Sequence, residues 1–415
     1  MNKNLLYIST FLVGICFPLS TKITNVAIII FCLFSVFFCY RNRLFKKQAI
    51  HLFLYTTIAL FFISAIWILA AENTDTAFKH FSRRVLFLIL PLILCFFDRN
   101  LLGKIIKYSF NGLWAGCLLS GLYLLGKTLN IYFDSRSLYQ IGPDLFNYYH
   151  TYHNFTAHLQ IHPTYLGSYF YIAIVFVLLH IQKTKKHRLF FSSLLLFLII
   201  IEFFINSRII LFLVLFTIFL FFIWFLRVQF KKNKIHFTIY LTSTLLFIGT
   251  LFLFVKDTYI YYRFTKELQW ETSKNVNTKI NKDNGGDSRL ARWSSIIELI
   301  KDKPLIGYGT GNEKEVLERQ FIKDGLTFSV ENRYDSHNLY LSYFIQFGLV
   351  GVIVFIIYLF GNICVSIKSK NILLGALTCS VLLISIFENF LNNNAGIVYV
   401  AFFQNVLLLY SLKKK

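Results

Sequence analysis

A chain of 415 residues that is 56% hydrophobic and 19% aromatic, with 48 Phe, carries far more apolar material than a soluble core can hide. The composition excludes an ordinary soluble domain and fits a bundle of membrane helices. The net charge of +22 would point to nucleic acid in a soluble protein, and its distribution along the chain decides against that reading.

Apolar runs of near-spanning length occupy about 5–20, 23–40, 50–71, 85–97, 106–126, 165–181, 189–205, 208–226, 237–255, 339–363, 371–388 and 395–411. The first is followed directly by Lys22 and a second run, so it reads as a retained helix rather than a cleaved leader. The fourth is short and fits a re-entrant segment as well as a span. All seven cysteines fall inside these runs, which supports neither a disulfide framework nor a thiolate metal site. The fold class read from this pattern is an all-α polytopic membrane protein of about twelve transmembrane helices. Residues 1–255 hold helices one to nine and 339–415 hold ten to twelve, with a large, mainly helical loop at 256–338 between them.

With the N-terminus inside, the inner segments carry 21 of the 42 basic residues and a single acid, Asp98. Arg41, Arg43, Lys46, Lys47, Lys183, Lys185, Lys186, Arg188, Lys231 and Lys232 are among them. The basic excess is therefore a topology signal, with both termini inside, and not a polyanion-binding patch.

Two outer segments are long. The first, about 127–164, is rich in Tyr and His: Tyr148, Tyr149, His150, Tyr152, His153, His158 and His162. The histidine spacing is loosely metal-like without a carboxylate cluster, so interfacial anchoring is the safer reading. His162-Pro163-Thr164-Tyr165, at the start of helix six, remains a candidate lining for an acceptor site. Glu202 and Arg208 flank the next outer turn, where two readings stand: simple mutual neutralisation, or a functional arginine.

The second outer segment, 256–338, carries 14 basic and 13 acidic residues, as a folded, solvated subdomain would. Asp283-Asn284-Gly285-Gly286-Asp287 resembles a fragment of an oxygen-ligand metal loop but lacks its remaining acids. A helix is expected from Asp287 or Ser288 as N-cap, with Leu290, Trp293, Ile297 and Ile300 on one apolar face. Arg289 and Arg292 lie one turn apart on an adjoining stripe. Their guanidiniums suit a bidentate grip on a diphosphate, and two solvated arginines is the plainer alternative. Pro304 stops this helix before Gly307-Tyr308-Gly309-Thr310-Gly311. That run reads as a flexible turn more readily than as a phosphate cradle, since no strand precedes it and no Lys-Ser/Thr follows. His337-Asn338 then opens helix ten, and Gly348-Leu349-Val350-Gly351 follows nine residues later, where missing side chains let another helix or a lipid approach. Glu388 and Asn389 close helix eleven on the same outer side. A histidine there suits a general base at neutral pH.

These residues resemble the O-antigen ligase and O-antigen polymerase superfamily. The ligase branch carries His, then Asn/Ser/Gln, nine residues, and Gly-x-x-Gly/Thr/Tyr, which reads here His337-Asn338 to Gly348-Leu349-Val350-Gly351. Its Arg-x-x-x-Trp…Pro-Leu-x-Gly-x-Gly pattern reads Arg289 to Trp293 and Pro304 to Gly309, and its Ser-Arg pair reads Ser207-Arg208. The resemblance is strongest over 287–351, and the N-terminal third carries no matching motif.

The resemblance implies an inverting, metal-independent glycosyltransferase of the bacterial inner membrane, without cofactor, working at the periplasmic face. Its donor would be a glycan on undecaprenyl diphosphate and its acceptor a sugar hydroxyl of lipid A–core or a similar glycan, among membrane lipids and without nucleic acid. His337, Arg289 and Arg208 would be catalytic. Asn338, Arg292, Glu388, His162, Gly348 and Gly351 would contact substrate. A repeat-unit polymerase of the same superfamily is the nearest alternative, and a protein-glycosylating member a further one. A flippase or other transporter would call for internal symmetry and mid-membrane charges that the sequence lacks, and a non-enzymatic assembly scaffold would leave the motif residues dispensable. Reporter fusions at Lys185 and Lys232 are expected to report cytoplasm and those near Lys279 periplasm. A cytoplasmic signal from 256–338 would put that loop on the wrong side for the donor.

Overall fold

The structure, a computed structural model, describes residues 3–45, 52–134, 142–184, 187–232, 234–279 and 285–413. Lys46, Lys47, Lys185, Lys186 and the Asp283-Asn284 pair of the metal-like fragment lie outside the described residues. Each apolar run is helical: Lys3–Cys16, Thr21–Arg41, Leu52–Ile66, Leu86–Leu94, Arg99–Asp134, Pro163–Lys183, Arg188–Ile205, Arg208–Lys232, Lys234–Val255, Leu339–Ser369, Ile372–Ile384 and Asn394–Leu412. This is the all-helical, multi-pass membrane architecture expected from composition. Among the described residues, eight helices are long and apolar enough to cross a membrane, while Lys3–Cys16 and Ile372–Ile384 are apolar but shorter. Leu86–Leu94 has nine residues and Pro91 inside it. Its rise of about 14 Å covers only half a hydrocarbon core, in keeping with a segment that does not span alone.

The chain packs as two compact units. One comprises Met1–Leu113 with Gln269–Lys415. Within it Leu339–Ser369 lies against Leu52–Ile66, Ile372–Ile384 and Asn394–Leu412, and Asn394–Leu412 also packs on Leu86–Leu94. Asn394–Leu412 is buried almost all round, as a helix apolar on every face must be. Its Tyr399, Phe402 and Phe403 rings meet Phe17, Phe31 and Phe110 at centroid distances of 5.1–6.3 Å.

The long polar loop of this unit folds as three short helices, Arg289–Ile300, Glu313–Lys323 and Thr327–Glu331, with a two-residue ribbon pairing Thr278–Lys279 to Gly285–Gly286. Their core of Ala291, Ile296, Leu299, Val316, Leu317, Phe321 and Leu326 closes on Ile345 of the long helix. This corrects the expected helix face. Leu290 and Ile297 are 38% and 51% exposed, whereas Arg292, Ser295, Ile296 and Leu299 point inward. Trp293 and Ile300 only flank the core. The heptad-like spacing of large residues loses to the pull of Phe321 and Leu317 on Ile296 and Leu299.

The other unit is Trp114–Leu268. Pro163–Lys183 is buried along most of its length against Arg188–Ile205 and Arg208–Lys232, and Arg208–Lys232 packs on Lys234–Val255. The Tyr/His-rich segment forms short helical turns, Pro143–Phe146, Tyr148–His150, Tyr152–Thr156 and Ala157–Leu159. Phe146 and Phe155 anchor these turns on Phe204, with ring centroids 4.7 and 5.3 Å away.

Candidate functional site

Two of the sequence motifs are physically one structure. Gly348 takes φ 63° and ψ −159° inside Leu339–Ser369, so the helical hydrogen-bond ladder breaks there. The Pro304–Gly309 segment of the loop repairs the break: Tyr308 N–H donates to Ile345 O (2.8 Å), Gly309 N–H to Gln346 O (2.9 Å), and Leu349 N–H to Pro304 O (2.9 Å). A Cβ on Gly348 would lie 2.2 Å from the Leu305 carbonyl, and one on Gly307 would lie 2.5 Å from Ile345 O. What approaches Gly348 is thus the loop backbone, not the second helix or lipid that the sequence suggested. Gly351 needs its bare Cα for the same kink, which brings Phe347 Cβ within 2.3 Å of where a side chain would start.

The glycine run is no phosphate cradle either. Thr310 N–H donates to Trp67 O (3.1 Å), Gly311 N–H to Gln346 Oε1 (3.1 Å), and Gly307 N–H to Lys303 O (3.1 Å). Its amides are spent on holding the loop to the kinked helix and to the end of Leu52–Ile66, through Trp67. It is a packed strut rather than a flexible turn.

Beneath His337 lies a charge that the sequence reading missed. Glu313 is wholly buried at the start of Glu313–Lys323. Its Oε1 accepts from Ser336 N–H (3.1 Å), Ser336 Oγ (2.7 Å) and Asn389 Nδ2 (3.0 Å). Its Oε2 accepts from Ser342 Oγ, Asn392 Nδ2 (3.2 Å) and Gln346 Nε2 (3.4 Å). Burial first, then the Asp335 carboxylate, raise its pKa above the ordinary carboxyl value, and the Ser342 and Ser336 donors offset part of that rise. A donor set of this kind suits the carboxylate form. Arg84 Nη2 donates to Asn392 Oδ1 (2.6 Å), which brings a buried cation to the edge of the same network. The signal in the sequence was the polar cluster Glu388-Asn389 and Asn392-Asn393-Asn394 between two apolar runs, since buried amides need a partner.

His337 itself sits at φ 43°, an uncommon backbone for a non-glycine residue. Its N–H donates to Asp335 Oδ1 (3.0 Å), and its Nδ1 is 3.5 Å from Glu388 Oε2 and 3.6 Å from Asp335 Oδ1. Asn338 caps the long helix through Oδ1, which accepts from Leu341 N–H (3.1 Å). Trp293 Nε1 donates to Ser336 O (2.9 Å), which ties the arginine helix to the histidine. Arg289 lies over Phe387 (5.9 Å), the neighbour of Glu388, and Arg292 lies over Tyr334 (4.8 Å), whose ring is 6.0 Å from His337. The structure therefore brings Arg289, Arg292, His337, Asn338 and Glu388 together within one unit.

Neither arginine is a solvated surface charge. Arg289 is 16% exposed, with Nε 3.7 Å from Glu271 Oε1, while Glu271 Oε2 accepts from the Arg289 N–H that opens the helix (2.8 Å). Ser288 is the N-cap, and Asp287 instead holds Asn277 and Ser329. Arg292 is buried, and burial lowers its pKa against the opposing pull of Glu271. Its Nε and Nη1 have no hydrogen-bond partner among the described residues.

Arg208 belongs to the Trp114–Leu268 unit. Its Nη2 is 3.5 Å from Glu267 Oε1, and its Nη1 donates to Arg263 O (3.2 Å). Glu267 also holds Arg263 (3.2 Å), which is buried over the Tyr152 ring at 3.4 Å. The sequence marked neither Glu267 nor Arg263. Neutralisation of Arg208 by Glu202 does not occur: both Glu202 oxygens are buried without hydrogen-bond partners among the described residues. His162 caps Pro163–Lys183 through Nδ1, which accepts from Thr164 N–H (3.3 Å), and its ring meets His153 at 4.8 Å.

The matched family can now be stated. Residues 191–356 match the family model described as O-antigen ligase. That match supports the O-antigen ligase and polymerase superfamily to which the three motifs point, and it implies glycosyl transfer of the ligase or polymerase kind. No curated protein matches the chain.

Two substitutions test the scaffold of this site. Gly348→Ala forces a side chain into the Leu305 backbone at a left-handed φ, so the folded protein is expected to lose at least ~2 kcal/mol, read as a clear fall in Tm in detergent. Glu313→Ala strands up to six donors, at about 1–3 kcal/mol for each left buried and unpaired. It is expected to unfold the loop that carries Glu313–Lys323, as measured by proteolysis. Glu313→Gln keeps one acceptor oxygen and is expected to fall between the two.

Proposed function

We propose that the chain is an inverting glycosyltransferase of the O-antigen ligase type in the bacterial inner membrane. It moves a glycan from undecaprenyl diphosphate to a sugar hydroxyl of lipid A–core, or a similar acceptor, at the periplasmic face. The observation that carries the reading is the convergence of Arg289 and His337 on Phe387-Glu388. It joins an anion-binding group to a proton acceptor in one place.

The acceptor hydroxyl oxygen attacks the anomeric carbon from the face opposite the diphosphate. A new glycosidic C–O bond forms, the anomeric C–O phosphate bond breaks, and its electron pair leaves on the diphosphate. The hydroxyl proton passes to His337. With Nδ1 directed at Glu388, Nε2 is the nitrogen left to accept that proton, and the Glu388 and Asp335 carboxylates stabilise the imidazolium that results. Arg289 meets the departing diphosphate with a planar fork, and the unpartnered nitrogens of Arg292 supply further donors beside it. On the motif alone, the Ser207-Arg208 pair makes Arg208 a diphosphate-binding residue of the Trp114–Leu268 unit. Charge developing on the leaving group is then neutralised by guanidiniums, the task a divalent cation performs elsewhere.

Transfer by purified protein is expected to persist in excess EDTA. Loss that only Mg²⁺ or Mn²⁺ restores would overturn the arginine assignment. His337→Ala is expected to lower turnover by roughly 10²–10⁴-fold with donor affinity little changed. Arg289→Lys keeps the charge, loses the fork and should still cut activity substantially. Near-normal transfer by His337→Ala at matched, folded levels would remove the general base. In a deletion strain, free lipid A–core with long glycan left on the carrier is the ligase outcome. Single repeat units on the core would mean polymerase instead.

A further inference from the structure

Between Thr74–Arg83 and Leu86–Leu94 the chain places a cation where a charge is costly. Arg84 is 1% exposed and lies over the rings of Tyr343 and Phe347, 5.5 and 5.2 Å from their centroids. Its Nε and Nη1 have no hydrogen-bond partner among the described residues. Its Nη2 donates to Asn392 Oδ1 at 2.6 Å, and the same amide turns its Nδ2 to Glu313 Oε2 (3.2 Å) and Ser342 Oγ (2.6 Å). Burial works against the charge on Arg84, Tyr343 and Glu313 favour it, and the exposed Arg83 opposes it. His80 also feels the Arg84 charge, and Asp335 is the acid that acts on Glu313.

We propose that Arg84 is the counter-ion of Glu313, bridged to it by the Asn392 amide, and a positioning residue for His337. A guanidinium only donates and a carboxylate only accepts, so the two together fix which way the amide between them points. Ser342 Oγ takes N–H donors from Asn392 and Gln346, which sends its own proton to Glu313. Glu313 therefore meets donors on both oxygens, and a proton on either would displace one of them. The groups that Glu313 Oε1 holds, Ser336 and Asn389, adjoin His337 and Glu388, whose Nδ1 and Oε2 lie 3.5 Å apart. Loss of the anion would loosen both sides of that pair. Burial and Asp335 both disfavour a charged Glu313, and a cation in the same surround is what offsets them. A side chain needed only to fill space beside Tyr343 and Phe347 would be apolar, with no charge to desolvate. The role toward His337 rests on the glycosyl-transfer reading above, and the ion pair does not.

The test uses the full chain in detergent and infrared difference spectra between neutral and acidic pH, which read the C=O stretch of a protonated carboxyl. The band that disappears in Glu313→Gln is that of Glu313. Removing an opposite charge raises a carboxyl pKa, so Arg84→Met is expected to show this band at a pH higher by about one unit or more. Arg84→Lys keeps the charge and is expected to stay near wild type, as is Arg83→Met at the exposed neighbour. Asn392→Ala cuts the bridge with Arg84 in place and should move the band the same way, which decides the matter where Arg84→Met does not fold. In the transfer assay, Arg84→Met is expected to lower kcat by about tenfold or more with the donor KM unchanged, since Arg84 acts through His337. Arg84→Lys should restore part of that loss. A band at the wild-type pH in both Arg84→Met and Asn392→Ala, or in Asn392→Ala alone where the other does not fold, would overturn the counter-ion. A moved band with unchanged kcat would overturn the positioning role. Wild-type protein that shows the expected titration and transfers no glycan would sink the enzyme reading and leave the ion pair standing.

Discussion

The exchange of backbone hydrogen bonds at Gly348 is the constraint on which the rest of the motif-bearing unit depends. A membrane helix cannot leave carbonyls unpaired in an apolar surround, so a break is tolerated only where other groups satisfy it. Here the loop segment after Pro304 supplies two N–H donors and takes one back. The exchange fixes the loop on the helix at a single register. It seats Ile345 in the loop core and carries Arg289–Ile300 to where Trp293 reaches Ser336. The glycines of both motifs are thereby explained by space and φ, while the charged residues between them are left to chemistry.

Glu313 completes the same assembly from the polar side. A buried carboxylate is costly unless its lone pairs are met, and here five side chains and one backbone N–H meet them. Those side chains come from the segment before His337, from the first turns of Leu339–Ser369, and from the turn after Ile372–Ile384. His337 and Glu388 are next in sequence to Ser336 and Asn389. Their placement is therefore set by a buried network rather than by flexible loops, which is what a proton-accepting histidine requires.

Much of this was legible in the sequence because it rests on local or periodic signals. Every apolar run became a helix, and Ser288, one of the two N-cap candidates, caps Arg289–Ile300. What was not legible depends on residues distant in the chain. Leu290 and Ile297 obeyed a helical period and still faced outward, because Phe321 and Leu317 decide which side of Arg289–Ile300 is covered. Glu202 stood closest to Arg208 in sequence, yet Glu267 took that place, since a helix end can turn its guanidinium toward a following segment. Glu313 looked like one of 13 loop acids, with only the distant Asn389 and Asn392 to betray its burial.

The arginine geometry suits the proposed reaction. Arg289 and Arg208 each face a carboxylate, Glu271 at 3.7 Å and Glu267 at 3.5 Å. Both distances exceed the 2.7–2.9 Å of a tight charge-assisted bond. A loose pairing neutralises a partly buried guanidinium and limits its rotamers, yet costs little to give up. Under the proposed reaction, a diphosphate brings more charge and a better match to the guanidinium fork than one carboxylate oxygen does. The ligand then displaces a partner already poorly held, and the arginine meets it preorganised. Arg292 is buried, with Glu271 and Asp335 acting on it through space and two nitrogens unpartnered among the described residues. Its desolvation has been met in folding, which leaves its donors ready for the charge that develops as the sugar departs.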